Sequence, residues 1–240
     1  MKKVIILLII IFISLSIVGI IMKDKNGNDN IDNNDKTNVQ NEIDAFSEYL
    51  FNINIINLDV FGKNYNIETI NDDIIYSYMN GAYRPMFSKK NTASKDEINS
   101  FISYVFGSDV SVRPRNFWYS DSLENYCVVY DENNEIYVYN EKCNYDFLYV
   151  GLNNFLELYE NEGKYYAKVV HYYLYDGYVY NNYEDLLNGV NSIYSYEKSK
   201  QNDAMIEIRN NYEKYPSKTR LYSFVPDANE FRFYSYEVLE

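Results

Sequence analysis

Residues 165–175 read YYAKVVHYYLY, with no Gly or Pro and with aromatic or β-branched side chains at most positions. Strand alternation divides them into two faces, and both are largely apolar, which predicts a strand buried on both sides at the centre of a sheet. Working outward, residues 155–159 pair back onto it across 160–164, where Gly163 supplies the turn. Two further hairpins follow the same period of two. Residues 126–130 and 135–139 flank 131–134, and residues 219–225 and 230–238 flank Pro226, Asp227, Ala228 and Asn229. Upstream the period changes to helical. Ile43, Phe46, Leu50 and Ile53 predict a helix over 41–54. Asn71, Asp72 and Asp73 open a second, carrying Ile74, Ile75, Tyr78 and Met79. Ser94 and Glu97 form a capping box for a third, with Ile98, Phe101, Ile102 and Val105 as its stripe and Gly107 as its stop. A short helix is expected at 183–188 and another at 200–212, although Met205 to Ile208 also fits a strand. Helices first and hairpins afterwards predict an α+β domain, an antiparallel sheet with its helices segregated to one side.

The N-terminus has a different character. Lys2 and Lys3 precede nineteen uncharged residues, 4–22, and Lys23, Asp24 and Lys25 follow. At about 1.5 Å per residue such a helix nearly matches the roughly 30 Å hydrocarbon core of a bilayer. The expectation is a membrane anchor over 1–25, N-in and C-out, with residues 4–22 in the membrane and the rest extracellular. Ser14 and Ser16 also fit a signal-peptidase site and a secreted product, but Ile17 to Met22 continue apolar, which favours retention. No cysteine precedes Cys127, so no N-terminal lipid acceptor exists within this sequence. Residues 26–42 are rich in Asn and Asp and read as a disordered linker, leaving 43–240 as the extracytoplasmic domain. Residues 24–35 match most positions of an EF-hand loop, yet Asp29 stands where the turn needs glycine and Asp35 where the loop uses glutamate, so no metal is assigned.

The formal charge is −13, and the four lysines of residues 1–25 mean that the remainder is more acidic still. That excludes the electrostatic footprint of a nucleic-acid or anionic-polymer binder. Tyrosine is the compositional outlier, 29 of 240 residues; it serves either as stacking platforms or as filler for half-buried strand positions.

Few residues suggest chemistry. Cys127 and Cys143, the only cysteines, suit a disulfide on an exported domain. Their bond would close a loop worth about 3 kcal/mol, provided the chain turns back after Asn140. His171 is the only imidazole; on strand alternation it shares a face with Tyr165, Ala167, Val169 and Tyr173, pointing toward core or pocket. Arg113, Arg115, Trp118 and Tyr119 cluster basic and aromatic groups in one loop, the composition of small binding hot spots. The alternative is that the aromatics tuck under the sheet and the arginines offset nearby acids. Glu157, Glu160 and Glu162, and Asp131, Glu132 and Glu135, lie at turns where carboxylates are usually solvated. No P-loop, dinucleotide fingerprint, HExxH, GxSxG or CxxC is present, so neither a cofactor nor a metal is expected.

The order of an anchored low-complexity linker, a helical start with a Ser94-Lys95-Asp96-Glu97 cap, a strand beginning Gly163-Lys164-Tyr165-Tyr166-Ala167-Lys168-Val169 and a closing hairpin through Tyr222-Ser223-Phe224 resembles cystatin-like or NTF2-like ectodomains of low-GC Gram-positive bacteria. The resemblance implies a curved antiparallel sheet wrapping a helix, often with a pocket, in modules that mostly bind or scaffold. No family catalytic residue transfers. The expectation is a non-catalytic binding or interaction module of the cell envelope, with a protein partner or small ligand; a small hydrolase with a carboxylate and His171 in a pocket, or a structural subunit, are the alternatives.

Overall fold

The computed structural model describes residues 33–59, 64–82, 90–120, 123–143, 149–227 and 230–239. The expected membrane helix over 4–22 lies outside these residues. Among the described residues no helix is long and apolar enough to cross a membrane. Asn38–Glu240 forms one compact unit; of the other unit, Met1–Thr37, only residues 33–37 are described.

Helix α1 spans Asn33–Asn52. It therefore begins inside the segment expected to be a disordered linker, and the reason is cooperativity. Ile43, Phe46 and Leu50 are anchored in the core, and once that nucleus exists each added residue closes a backbone hydrogen bond. A short 3-10 turn, Ile55–Leu58, follows and is buried throughout. Helix α2 is Asp72–Ala82, where the Asn71 side chain accepts from the Ile74 N–H at 3.1 Å. Helix α3, Lys95–Phe106, carries the reciprocal Ser94–Glu97 capping box and ends at Gly107, whose φ of 100° suits glycine.

The strands form two antiparallel sheets. The smaller has the order β2 (Thr92–Ser94), β5 (Ile136–Tyr139), β4 (Asn125–Asp131), β3 (Phe117–Ser120). The larger centres on β7, Lys164–Tyr175. On one side β7 pairs with β6 (Val150–Asn161). Its residues 165–170 also pair with β10 (Thr219–Asp227), and its residues 173–175 with β8 (Tyr178–Tyr180). Beyond β10 come β11 (Glu230–Leu239) and the two-residue β1 (Tyr65–Asn66); beyond β8 comes β9 (Tyr194–Ser195). Pro226 and Asp227, expected in the turn, lie at the end of β10 paired with Phe231 and Glu230.

The expectation of helices on one side of the sheet is corrected. On one face of β7, Ala167 and Val169 join a core with α1, α2 and α3. On the other, Val170, Tyr172 and Leu174 pack with Ala204 and Ile208 of helix α5 (Gln201–Asn210), so the ambiguous 205–208 stretch is helical. A strand apolar on both faces needs cover on both. Helix α4, Tyr183–Asn188, is capped by the Asn182 side chain and follows β8 directly.

Cys127 and Cys143 are bonded, with Cα atoms 5.6 Å apart. The β4–β5 register places Val128 opposite Tyr139. The chain then turns back, with the Cys143 N–H donating to the Asn140 carbonyl at 2.9 Å. Replacing both cysteines with serine should cost about 3 kcal/mol, the entropy of an unclosed loop of this length. A urea titration that places oxidised wild type and the double variant at the same midpoint would contradict this.

Candidate ligand-binding cleft

Asp59 follows the 3-10 turn, and several contacts fix it there. Its N–H donates to the Ile56 carbonyl at 3.2 Å. Tyr65 donates its hydroxyl to the Leu58 carbonyl. Gly151 of β6 lies so close that a Cβ would meet the Ile56 side-chain tip at 2.8 Å, so the glycine lets the turn sit against the strand without moving that side chain. Asp59 is thereby carried into the sheet, 2% exposed.

Arg220 meets it there. On β10, Arg220, Tyr222 and Phe224 alternate on the face that α1 covers, and Arg220 is 1% exposed. Its Nε donates to Asp59 Oδ2 at 2.6 Å, Nη1 to the Lys218 carbonyl at 2.6 Å and Nη2 to the Asn181 carbonyl at 3.0 Å. The guanidinium thus closes the seam where β8 ends and β10 begins. Tyr173 donates to the same Asp59 oxygen at 2.8 Å, and Tyr236 donates to Oδ1. Among the described residues these partners of the carboxylate are donors on three different strands.

His171 lies behind this pair, fully buried. Its Nδ1 is 2.7 Å from Asn153 Oδ1 and its Nε2 is 2.7 Å from the Tyr222 hydroxyl. An amide oxygen only accepts, so Nδ1 carries the proton and Nε2 accepts from Tyr222. Burial, reinforced by the Arg220 charge, holds the imidazole well below its ordinary pKa. Burial likewise pushes the Tyr173 and Tyr222 hydroxyls well above theirs. All three groups are neutral around pH 7.

In front of the pair opens a cleft of about 730 Å³. Asp59 and Arg220 form its floor; Tyr65, Ile74, Leu187 and Val238 give it apolar walls. Its polar lining includes Asn64, Asn71, Asp73, Glu184 and Lys218. No family model, curated protein or solved structure matches the chain. The site is therefore read from its own geometry.

The residues singled out in the sequence separate into two groups. His171 and Tyr173 share the face behind the floor, and Tyr173 binds Asp59, but neither lines the cleft. Arg113, Arg115, Trp118 and Tyr119 lie at β3 and the loop before it. Arg115 pairs with Asp73 at 2.7 Å and covers the Tyr76 ring at 4.6 Å, while the Arg113 N–H donates to Asp72. Trp118 stacks on Tyr139 at 5.6 Å and Tyr119 packs edge-on against Tyr126. The loop is tied to the cleft through Arg115 and Asp73. Asp59, Lys218, Arg220 and Tyr236 were not legible as site residues, although an arginine at an inward position of an apolar strand was a signal for a buried carboxylate.

Two outcomes follow from this network. Removing one partner strands a buried charge, so Asp59→Leu or Arg220→Met should each cost about 3–5 kcal/mol, and the double replacement of the same two residues much less than the sum. Additive losses in a urea double-mutant cycle would contradict the pairing. For His171, the unfolded state binds a proton below about pH 6.5 and the native state does not. Stability should therefore fall as pH drops below that value, by up to about 1.4 kcal/mol per pH unit relative to His171→Gln. Parallel stability–pH curves for the two proteins would refute it.

Proposed function

We propose that the chain is a non-catalytic binding or interaction module of the cell envelope, tethered by a transmembrane helix over residues 4–22 and presenting 43–240 outside the cell on a sheet that curves around α1. The tether is supported by nineteen uncharged residues between lysines, and the exterior placement by the Cys127–Cys143 bond, since disulfides persist in oxidising compartments. The cleft has the volume of a small-molecule site, and its lining is mostly polar and charged around an apolar wall of Tyr65, Ile74, Tyr183, Leu187 and Val238.

One observation carries the choice of binding over catalysis. The strongest acid–base candidates are committed: His171 has both ring nitrogens hydrogen-bonded inside the core, and Asp59 accepts from Arg220, Tyr173 and Tyr236. A general base needs a lone pair within reach of its substrate; His171 offers none to the cleft, and Asp59 on the floor already accepts three hydrogen bonds, one of them from a paired guanidinium. The floor instead supplies a rigid, charge-balanced surface.

Two measurements test this reading. The full chain should sediment with membranes and become soluble on deletion of residues 1–25, and protease added to intact cells should degrade the domain; a cytosolic, protease-protected protein would overturn the placement. A thermal-shift screen against cell-wall fragments, peptides, calcium and small metabolites should give one saturable rise in Tm. Turnover of any screened compound that is lost in His171→Gln would overturn the non-catalytic reading.

A further inference from the structure

The lining of the cleft specifies a class of ligand. Among the described residues, Lys218 and Glu184 make no ion pair, and both are exposed at the cleft. Asp73 commits Oδ1 to Arg115 and keeps Oδ2. The cleft therefore offers one uncommitted cation and two carboxylates with capacity to spare.

Asn64 and Asn71 add direction. Asn64 Oδ1 accepts from the Val238 N–H at 2.9 Å, and Asn71 Oδ1 accepts from the Ile74 N–H at 3.1 Å. Because a backbone N–H needs an acceptor, the amide oxygens face the protein and both NH₂ groups remain as donors. Two donors suit carbonyl oxygens. The walls of Tyr65, Ile74, Tyr183 and Leu187 suit an aromatic or aliphatic side chain.

Charge decides between ligand types. A simple anion would approach Lys218 through the field of a chain with a formal charge of −13, past Glu184 and Asp73. A simple cation would leave the exposed Lys218 opposed to it. A molecule bearing both signs meets neither cost. We infer that the cleft binds a small zwitterionic ligand, a short peptide with free amino and carboxyl ends and an apolar side chain. Its carboxylate sits against Lys218, its ammonium against Glu184 and Asp73, and its carbonyls accept from Asn64 and Asn71. This rests on the reading of the cleft as a binding site.

The test uses the full chain in detergent and four forms of Ala-Phe-Ala: free, N-acetylated, C-terminally amidated and blocked at both ends. Isothermal titration should show the free peptide binding, with about a tenfold loss for each single block, the size expected when one charged contact is removed. Lys218→Gln should erase the penalty of amidation and keep that of acetylation; Glu184→Gln should do the reverse in part, with Asp73→Asn completing it. An unchanged urea midpoint in each variant certifies that the fold is intact. Equal binding of all four peptides, or penalties that the variants leave untouched, overturns the inference while the binding-module reading stands. So does failure of every peptide when another class in the thermal-shift screen binds in a Lys218-dependent way. Silence from every class, peptides included, sinks both.

Discussion

The fold depends on how one carboxylate is taken out of water. Asp59 and Arg220 are both almost fully buried, and neither charge is tolerable there without the other. Satisfying the pair brings together the 3-10 turn, β7 through Tyr173, β10 through Arg220, β11 through Tyr236 and the carbonyls of Asn181 and Lys218. Ion pairs of this kind add little net stability over an apolar substitute, because desolvation offsets most of the Coulomb gain. What the pair does supply is uniqueness. A slip of β10 by one residue would turn Arg220 to the opposite face and leave Asp59 bare, so the register of the sheet and the position of the turn specify each other.

Tyrosine makes this arrangement workable. A buried ring contributes apolar area, and its hydroxyl reaches a group that the helices and turns leave unsatisfied. Tyr49 donates toward the carbonyls of Tyr104 and Val105 at the end of α3, and Tyr78 donates to the Ile53 carbonyl just past α1. Tyr65 serves the Leu58 carbonyl, and Tyr173 and Tyr236 serve Asp59. Much of the unusual tyrosine content is therefore interior work, finishing hydrogen bonds where helices stop. Phenylalanine at those places would leave a buried acceptor unpaired at a cost of about 1–3 kcal/mol.

The division between buried and exposed charge also bears on the cleft. Its floor is neutralised internally, whereas Lys218 and Glu184 stand at its surface without ion-pair partners among the described residues. Arg115, held by Asp73 and the Tyr76 ring, offsets helix α2's acidic first turn. An exposed pair of this kind contributes at most about 1 kcal/mol. The loop is a support for one wall of the cleft, and its aromatic residues pack on the smaller sheet.

Features that are local or periodic were legible along the chain. The two-faced pattern of residues 165–175 made β7 central, the Ser94–Glu97 box fixed the start of α3, the hairpins followed from side-chain alternation although Pro226 and Asp227 fell in strand rather than turn, and the two cysteines found each other once the chain doubled back. These features depend on side-chain alternation and on contacts a few residues apart, which composition and spacing record. Tertiary structure alone decided the rest: that α5 covers the second face of β7, that α1 reaches back to Asn33, and that the cleft has the Asp59–Arg220 pair as its floor. Asp59 and Arg220 are 161 residues apart, and nothing near either names the other. A buried charge chooses its partner by geometry and dielectric, and only the folded chain supplies both.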